Sequence, residues 1–153
     1  MTVLYVDADA CPVKDEAVRV GERHGTPIKF VSNSWMRLPE GDLIERVVVA
    51  EGPDEADNWI AERAGKGDVV ITADVPLAAR CVKTGALVLS HTGKPFREDA
   101  IGMRLAMRDL NTHLRETGEI RESGPAFGKA DRSRFLNQLE TIMRAAKRIA
   151  EEG

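Results

Sequence analysis

Short apolar runs rich in β-branched residues alternate with helical patterns over the first ninety residues, and this alternation constrains the fold most. Each run is three or four residues long and is bounded by turn-forming residues, which is typical of strands buried on both faces of a sheet. The predicted strands are Val3–Val6, Ile28–Val31, Arg46–Val49, Val69–Ile71 and Ala86–Leu89. Strands linked by helices form βα units, so the sequence predicts an α/β three-layer sandwich with a mostly parallel central sheet of about five strands and helices on both faces.

Proline residues indicate where the connecting helices begin, because proline in the first helical turn sacrifices no hydrogen bond. Cys11-Pro12 opens the first predicted helix, which runs to about Arg23. The other two run from Gly52-Pro53-Asp54 to Gly65 and from Val75-Pro76 to Gly85. From about residue 98 the chain is predicted to be helical, with one helix over 101–114 and a second that carries an apolar stripe from Phe135 to Ala150.

The length of 153 residues indicates one domain, over 1–153, with a core that needs no disulfide or metal to stabilise it. The two cysteines, Cys11 and Cys81, are too few for a disulfide framework and have no zinc-ligand neighbours at usable spacing. No apolar run approaches the roughly 20 residues of a membrane helix. The first residues lack the basic region of a signal peptide and reach an acid at Asp7, so we expect a cytoplasmic protein.

Charge is distributed unevenly along a chain whose net charge is −3. Residues 1–90 contain 10 basic and 15 acidic residues, whereas residues 91–153 contain 12 basic and 10 acidic residues. This asymmetry allows a cation site in the first part and an anion contact in the second.

Carboxylates follow the predicted strands at the point where a parallel sheet binds ligands. Asp7 and Asp9 come after the first strand, Asp74 follows the fourth, and Asp54 and Asp57 begin the helix after the third. The carboxyl ends of parallel strands meet at one edge of the sheet, and ligands bind in the crevice beyond it. We therefore expect four or five carboxylates to converge there.

Crowded carboxylates raise one another's pKa, so a compensating cation is expected among them. Mg²⁺ and Mn²⁺ prefer carboxylate oxygen and water, and two such ions about 3.5–4 Å apart stabilise both oxygens in phosphodiester cleavage. A structural explanation also exists for single residues: Asp54 fits a helix N-cap, and Asp74 fits a turn before a helix that begins with proline. The pair Asp7 and Asp9 is harder to explain structurally, because a buried strand rarely runs into two charges.

Three segments resemble the signatures of the bacterial YaiI/YqxD family. They are Asp7-Ala8-Asp9-Ala10-Cys11-Pro12-Val13-Lys14, Thr72-Ala73-Asp74-Val75-Pro76-Leu77-Ala78 and Asp131-Arg132-Ser133-Arg134-Phe135-Leu136. The resemblance covers nearly the whole chain. At one point the chain departs from the family pattern, since Ser123-Gly124-Pro125 stands where the family favours Gly-Gly-Pro.

This family looks similar to PIN-type nucleases, whose acids follow the first strand, open a helix and end a Thr-x-Asp motif. Asp7, Asp57 and Asp74 match these three places. The resemblance implies metal-dependent cleavage of nucleic acid, RNA favoured over DNA, with these three aspartates as ligands of Mg²⁺ or Mn²⁺ and as catalytic residues. Asp9 would assist catalysis directly or through the other acids. Many PIN nucleases carry a further acid in mid-chain, for which Glu51 and Asp54 are the nearest matches.

Three basic residues, Lys129, Arg132 and Arg134, occupy the start of the last predicted helix and are candidate substrate-binding residues. Cations there oppose the helix dipole, and a bound phosphate would reverse that cost because helix N-termini bind anions. The alternative is that Asp131 caps the helix and pairs with the arginines. Arg104, Arg108 and Arg115 would extend the basic surface or form a solvated helix face.

Two other functions fit parts of the pattern, and the oligomeric state stays open. A phosphohydrolase of haloacid-dehalogenase type would use Asp7 as nucleophile and Asp9 as acid or base, although Ala10-Cys11 replaces the hydrophobic residue and threonine usual there. A non-catalytic module would bind RNA or protein and keep the fold, with or without a structural cation. An aspartyl-phosphate trapped on Asp7 would favour the phosphohydrolase, and specific RNA binding without turnover in any metal would favour the non-catalytic module.

Overall fold

The computed structural model of the chain describes residues 2–9, 11–52, 54–96 and 127–152. Within these ranges the strands are β1 (Leu4–Asp7), β2 (Ile28–Ser32), β3 (Ile44–Val48), β4 (Val69–Ile71), β5 (Leu87–Leu89) and β6 (Pro95–Phe96). The helices are α1 (Lys14–Arg23), α2 (Glu55–Arg63), α3 (Val75–Lys83) and α4 (Lys129–Glu152).

The strands form one sheet in the order β3-β2-β1-β4-β5-β6. All neighbouring pairs are parallel except β5 and β6, which are antiparallel. β1 lies in the centre, where Leu4 is in register with Ile28 of β2 and Val69 of β4. The order reverses beside β1, so the end of this strand faces the crevice in which α/β sheets bind ligands.

Two apolar cores cover the two faces of the sheet and confirm the predicted α/β fold. Side chains of a strand alternate between faces, and β1 shows this directly: Leu4 and Val6 join one core, and Tyr5 joins the other. The first core includes residues of α1 and α4, and the second includes residues of α2 and α3. The sheet with helices on both sides is consistent with a three-layer sandwich.

Besides shifts of one or two residues at the ends of strands, the structure corrects the predicted elements at two places. A sixth strand, β6, adds to the five predicted, and its two residues are too few to give a periodic signal. The first helix begins at Lys14 rather than at Cys11-Pro12, because the amide of Cys11 donates to the carbonyl of Ala8 at 3.3 Å and closes a turn there. The helix predicted over 101–114 lies outside the described residues.

The turn between β5 and β6 approaches the start of α4 very closely. Gly93 has a φ of +86°, and a Cβ atom there would lie 2.7 Å from the carbonyl carbon of Arg134. Only glycine fits both the backbone conformation and the contact. This contact places the first turns of α4 near the end of β5. Across the described ranges, every helix is too short or too polar to cross a membrane.

Candidate functional site

Asp7 and Thr72 form the centre of a polar site at the carboxyl edge of the sheet. Asp7 is the last residue of β1, and the buried Thr72 directly follows β4, the neighbouring strand. The Thr72 hydroxyl donates to Oδ2 of Asp7 at 2.9 Å and accepts from the amide of Asp74 at 3.0 Å. Thr72 therefore connects two of the predicted acids and sets the orientation of the Asp7 carboxylate.

Asp74 has the structural role that the sequence allowed, and its position leaves one carboxylate oxygen for the functional role. Its Oδ1 accepts from the amide of Leu77 at 2.8 Å, so the residue is the N-cap of α3. Its second carboxylate oxygen makes no hydrogen bond with the described part of the chain, and Asp74 lines the cleft described below. One oxygen therefore stabilises the helix while the other remains available to a ligand.

Asp9 is positioned by Asn33, a residue that the sequence analysis did not select. The Asn33 amide donates to Oδ2 of Asp9 at 3.1 Å. The Asn33 side chain donates to the carbonyls of Ala50 and Gly52 at 3.2 and 3.1 Å. Asn33 directly follows β2, so its position after a parallel strand was the signal that could have identified it.

Asp57 lies in the first turn of α2, close enough to the other acids for their charges to affect it. Burial is the largest cause that raises the pKa of Asp57. The charges of Asp74, Asp54 and Asp9 raise it further, whereas the charge of Arg80 lowers it. Arg80 donates to the side chain of Asn58 at 2.7 Å, and it is a second residue that the sequence analysis missed. Asp57 therefore belongs to the same electrostatic cluster, at its periphery.

Burial and neighbouring charges together make Asp7 the most perturbed acid of the cluster. Burial is the largest cause that raises its pKa to about 6, with further increases from the charges of Asp57, Asp9 and Asp74. The hydrogen bond from Thr72 opposes the rise. A carboxylate in this state is held in its charged form only at a free-energy cost, which a nearby cation would remove.

A cleft of about 540 Å³ joins these groups and completes the site. Asp7, Asp9 and Asp74 line it, whereas Asp57 does not. His91, which follows β5, also lines the cleft, and its ring centroid lies 5.8 Å from that of Phe127. Burial lowers the pKa of His91, so the imidazole is neutral at pH 7 and can accept or donate a hydrogen bond in the cleft.

Cys11 also lines the cleft but does not have the properties of a nucleophile. The residue is buried, and burial raises the pKa of its thiol. The thiolate is the reactive form, and a raised pKa keeps it scarce at neutral pH. Cys11 is therefore a packing residue of the cleft wall.

The donor chemistry of the cleft fits a hard divalent cation, although the acids do not form a ready cage. Carboxylate oxygens are the ligands that Mg²⁺ and Mn²⁺ prefer. Among the described residues, no three His, Cys, Asp or Glu side chains are close enough together to enclose a metal ion. Mg²⁺ usually keeps several waters and takes one or two carboxylates, which the oxygens of Asp7 and Asp74 can supply.

The three predicted substrate-binding residues differ in whether their side chains already have partners among the described residues. Lys129 is exposed and makes no hydrogen bond or ion pair with the described residues. Arg132 donates to Oε1 of Glu16 at 2.8 Å and to the carbonyl of Pro12 at 2.9 Å. Lys129 is therefore the available cation, and Arg132 attaches α4 to the start of α1.

The contacts of Asp131 and Arg134 agree in part with the alternative that Asp131 caps the helix and pairs with the arginines. Asp131 accepts from the amide of Gly128 at 3.0 Å, a helix-capping contact, and from Arg134 at 3.3 Å. Arg134 also donates to the carbonyl of Thr92 at 3.3 Å. Asp131 thus caps α4 and pairs with one arginine, while a substrate-binding role for these residues stays a prediction. Arg104, Arg108 and Arg115 lie outside the described residues.

Comparisons with known proteins return one family and close relatives. Residues 5–145 match a family model described as "Uncharacterized BCR, YaiI/YqxD family". A UPF0178 protein of Parvibaculum lavamentivorans is 61% identical over 148 residues, which cover 97% of each chain. UPF0178 proteins of Rhizobium etli and of a Caulobacter species are 55% and 56% identical, over 98% and 97% of this chain and 97% and 99% of their own. No solved structure matches.

Proposed function

The chain belongs to the YaiI/YqxD family, and we propose that it is a divalent-metal-dependent nuclease that hydrolyses phosphodiester bonds, with RNA favoured over DNA. The observation that carries the proposal is the state of Asp7. A half-buried carboxylate at the end of the central strand has three further carboxylates around it, and all three raise its pKa. The proposal takes Asp7 and Asp74 as the direct ligands of Mg²⁺ or Mn²⁺, and Asp57, which does not line the cleft, acts in the PIN-like arrangement through a coordinated water.

A bound divalent cation would neutralise the carboxylates, polarise a phosphate oxygen and lower the pKa of a coordinated water. The residues of the chain prepare this chemistry by holding the acids. Thr72 orients Asp7, and the cap of α3 orients Asp74. The amide of Asn33 holds Asp9, which assists from the side of the cleft. None of these residues has to form a covalent bond to the substrate.

Substrate phosphates would be bound at the N-terminus of α4. Lys129 is exposed there, and the first amides of a helix attract anions. Arg132 and Arg134 surround the same turn, where they can contact phosphate only by sharing or exchanging their present partners. Lys129 is therefore the strongest of the three candidates.

The test is the double variant Asp7→Asn with Asp74→Asn, assayed for Mn²⁺ binding by calorimetry and for cleavage of mixed RNA and DNA. We expect loss of measurable Mn²⁺ affinity and at least a roughly hundredfold loss of cleavage, because two ligand charges disappear while both side chains can still accept their hydrogen bonds. Asp42→Asn is the matched control, because Asp42 is exposed and unpaired among the described residues.

Unchanged metal affinity in the folded double variant would overturn the proposal. A covalent phosphate trapped on Asp7 would instead show phosphohydrolase chemistry of the haloacid-dehalogenase type. Specific RNA binding without turnover in Mg²⁺ or Mn²⁺ would show a non-catalytic module. Purifying the double variant in the same way as the parent protein excludes a contaminating nuclease as the source of activity.

A further inference from the structure

Trp35 is the most exposed large apolar side chain in the described residues, with 67% of its surface accessible. It lies in the loop between β2 and β3, two residues after Asn33, which binds Asp9. Two residues of chain span at most about 7 Å, so the loop places Trp35 close to the carboxylate cleft. A large aromatic ring left in solvent near a candidate active site points to a ligand.

Arg46 holds the Trp35 ring in position. The guanidinium carbon of Arg46, on the edge strand β3, lies 4.9 Å from the ring centroid, and its Nη2 donates to the carbonyl of Met36 at 3.3 Å. These contacts occupy one face of the indole and leave the rest exposed. An aromatic ring held in this way loses little conformational entropy when a second planar group stacks on it.

Neighbouring depressions of the surface lie between this ring and the carboxylates. Trp35, Arg37 and Leu38 line a groove of about 650 Å³, and the last two also line a neighbouring groove of about 690 Å³ that reaches Cys11. Cys11 lines the carboxylate cleft as well. The three depressions therefore share residues from the ring to Asp7.

The groove combines the groups that bind single-stranded nucleic acid without strong sequence preference. Such sites pair an aromatic platform for the bases with cations along the phosphate backbone. Arg37 is exposed, lines both grooves and makes no hydrogen bond or ion pair with the described part of the chain. It is thus available to a phosphate between the ring and the cleft.

A second copy of this chain fits the surface less well. β3 is an edge strand, and the exposed Val48 lies on it together with Glu45 and Arg46. Charged residues on an edge strand oppose pairing with another edge. The observations therefore favour a nucleic acid over a symmetric dimer at this surface.

We propose that Trp35 is a base-stacking platform for a single-stranded nucleic acid whose backbone follows Arg37 toward the carboxylate cleft. The inference rests on the proposed nuclease function and defines its substrate as unpaired strand. Bases stack on the open face of the indole, and the phosphates between them and the cleft contact the guanidinium of Arg37.

The experiment measures binding without cleavage, in buffer that contains a chelator. The chain has two tryptophans, so Trp59→Phe leaves Trp35 as the single tryptophan, whose fluorescence is excited selectively at wavelengths that Tyr5 does not absorb. We expect single-stranded 12-mers to quench its fluorescence, with ribose and deoxyribose versions assayed separately to distinguish RNA from DNA. A blunt duplex of the same sequence should quench far less.

Variants then assign the binding to the ring and to the cation. In the parent protein, Trp35→Ala should weaken binding of a labelled 12-mer by about tenfold or more, and Trp35→Phe should recover part of the loss. Arg37→Gln should reduce the slope of log affinity against log salt by about 0.7. Arg148→Gln is the matched control, because Arg148 is exposed and far from the ring. It lies near the end of α4, where Ala150 contacts Gly67 at the amino ends of the strands.

The failure of this inference and that of the nuclease proposal are distinguishable. Equal affinities of Trp35→Ala and the parent protein overturn the platform and leave the metal-dependent cleavage test unaffected. Trp35-dependent binding without cleavage in Mn²⁺ supports the platform and contradicts the nuclease. Concentration-dependent self-association that Trp35→Ala abolishes would show that a second copy covers the ring, and would also overturn the inference.

Discussion

Asp68 lies at the amino end of a central strand and Asp7 at the carboxyl end of its neighbour. The two show what distinguishes a structural acid from a candidate functional one. Asp68 precedes β4, and its two oxygens accept from the amides of Val3 and Gly65, both at 3.0 Å. Asp7 ends the neighbouring β1 and accepts a single hydrogen bond from the described residues, that of Thr72. Burial raises the pKa of both residues.

The difference lies in what compensates for burial. At Asp68 two backbone amides stabilise the charge and oppose the rise in pKa. At Asp7 three other carboxylates add to the rise, and one hydroxyl opposes it. A chain under selection for stability alone would not retain the second arrangement, so the contrast supports the proposal that Asp7 binds a ligand.

The largest expected effect is the loss of stability in Asp68→Asn, about 2–3 kcal/mol in the free energy of unfolding. The amide group of the asparagine would face a backbone N–H, so the amide of Val3 or Gly65 would lose its acceptor in a half-buried site. Urea unfolding measures the change. The Mn²⁺ affinity of Asp68→Asn should equal that of the parent protein. A loss of Mn²⁺ affinity in this variant would contradict the assignment of Asp68 as a purely structural acid.

Asp7→Asn should have the opposite effect on stability, and the effect should depend on pH. The folded-state pKa of Asp7, about 6, lies above its ordinary value of 3.8. The folded protein therefore binds this proton more tightly, and it loses stability as pH rises from about 4 through 6. Without metal, the variant should be more stable than the parent by about 2 kcal/mol at pH 7.5, once partial exposure is taken into account.

At pH 3.5 the free energies of unfolding of the two proteins should differ little, because the Asp7 carboxyl is then largely protonated in both the folded and the unfolded chain. Unfolding by urea at a series of pH values, with a chelator present, measures the difference. An Asp7→Asn variant that is less stable than the parent at pH 7.5 would contradict the assignment of Asp7 as an uncompensated charge.

Thr72→Val should give the smallest effect and separates orientation from charge. Without the Thr72 hydroxyl, Asp7 loses the hydrogen bond that lowers its pKa, so the pKa of Asp7 should rise further. We expect metal-dependent cleavage to fall about tenfold, with its pH profile moved to higher pH. Thr72→Ser keeps the hydroxyl and should recover activity, and a pH profile that does not move would exclude the orienting role.

The fold was predictable from sequence because its strands are short, apolar and bounded by polar residues. Val69–Ile71 has the predicted bounds, and the strand at Ile28 extends one residue further than predicted. β6 escaped prediction because its pairing with β5 is a tertiary contact that two residues cannot indicate alone. The start of α1 was wrong because Pro12 fits the turn that precedes the helix as well as it fits a first helical turn.

The acids of the site were predictable by their place after strands, and their supporting residues were not. Asp7, Asp9 and Asp74 end in one cleft because parallel strands bring their carboxyl ends together. Asn33 also follows a strand, but it holds Asp9 through its backbone amide, so its side chain gave no reason to select it. Arg80 acts through its charge at a distance, which no spacing along the chain reveals. Arg132 was an ambiguous cation in the sequence, because its partner Glu16 is 116 positions away.

The divided carboxylate of Asp74 links the cleft to the first turn of α3. One of its oxygens is bonded to the Leu77 amide, so a change in electron density at the other oxygen must alter that hydrogen bond. Leu77 is buried and lies outside the lining of the cleft. Its amide resonance is thus an internal reporter of occupancy, and a titration followed by NMR would read it from a nucleus that the ligand never touches.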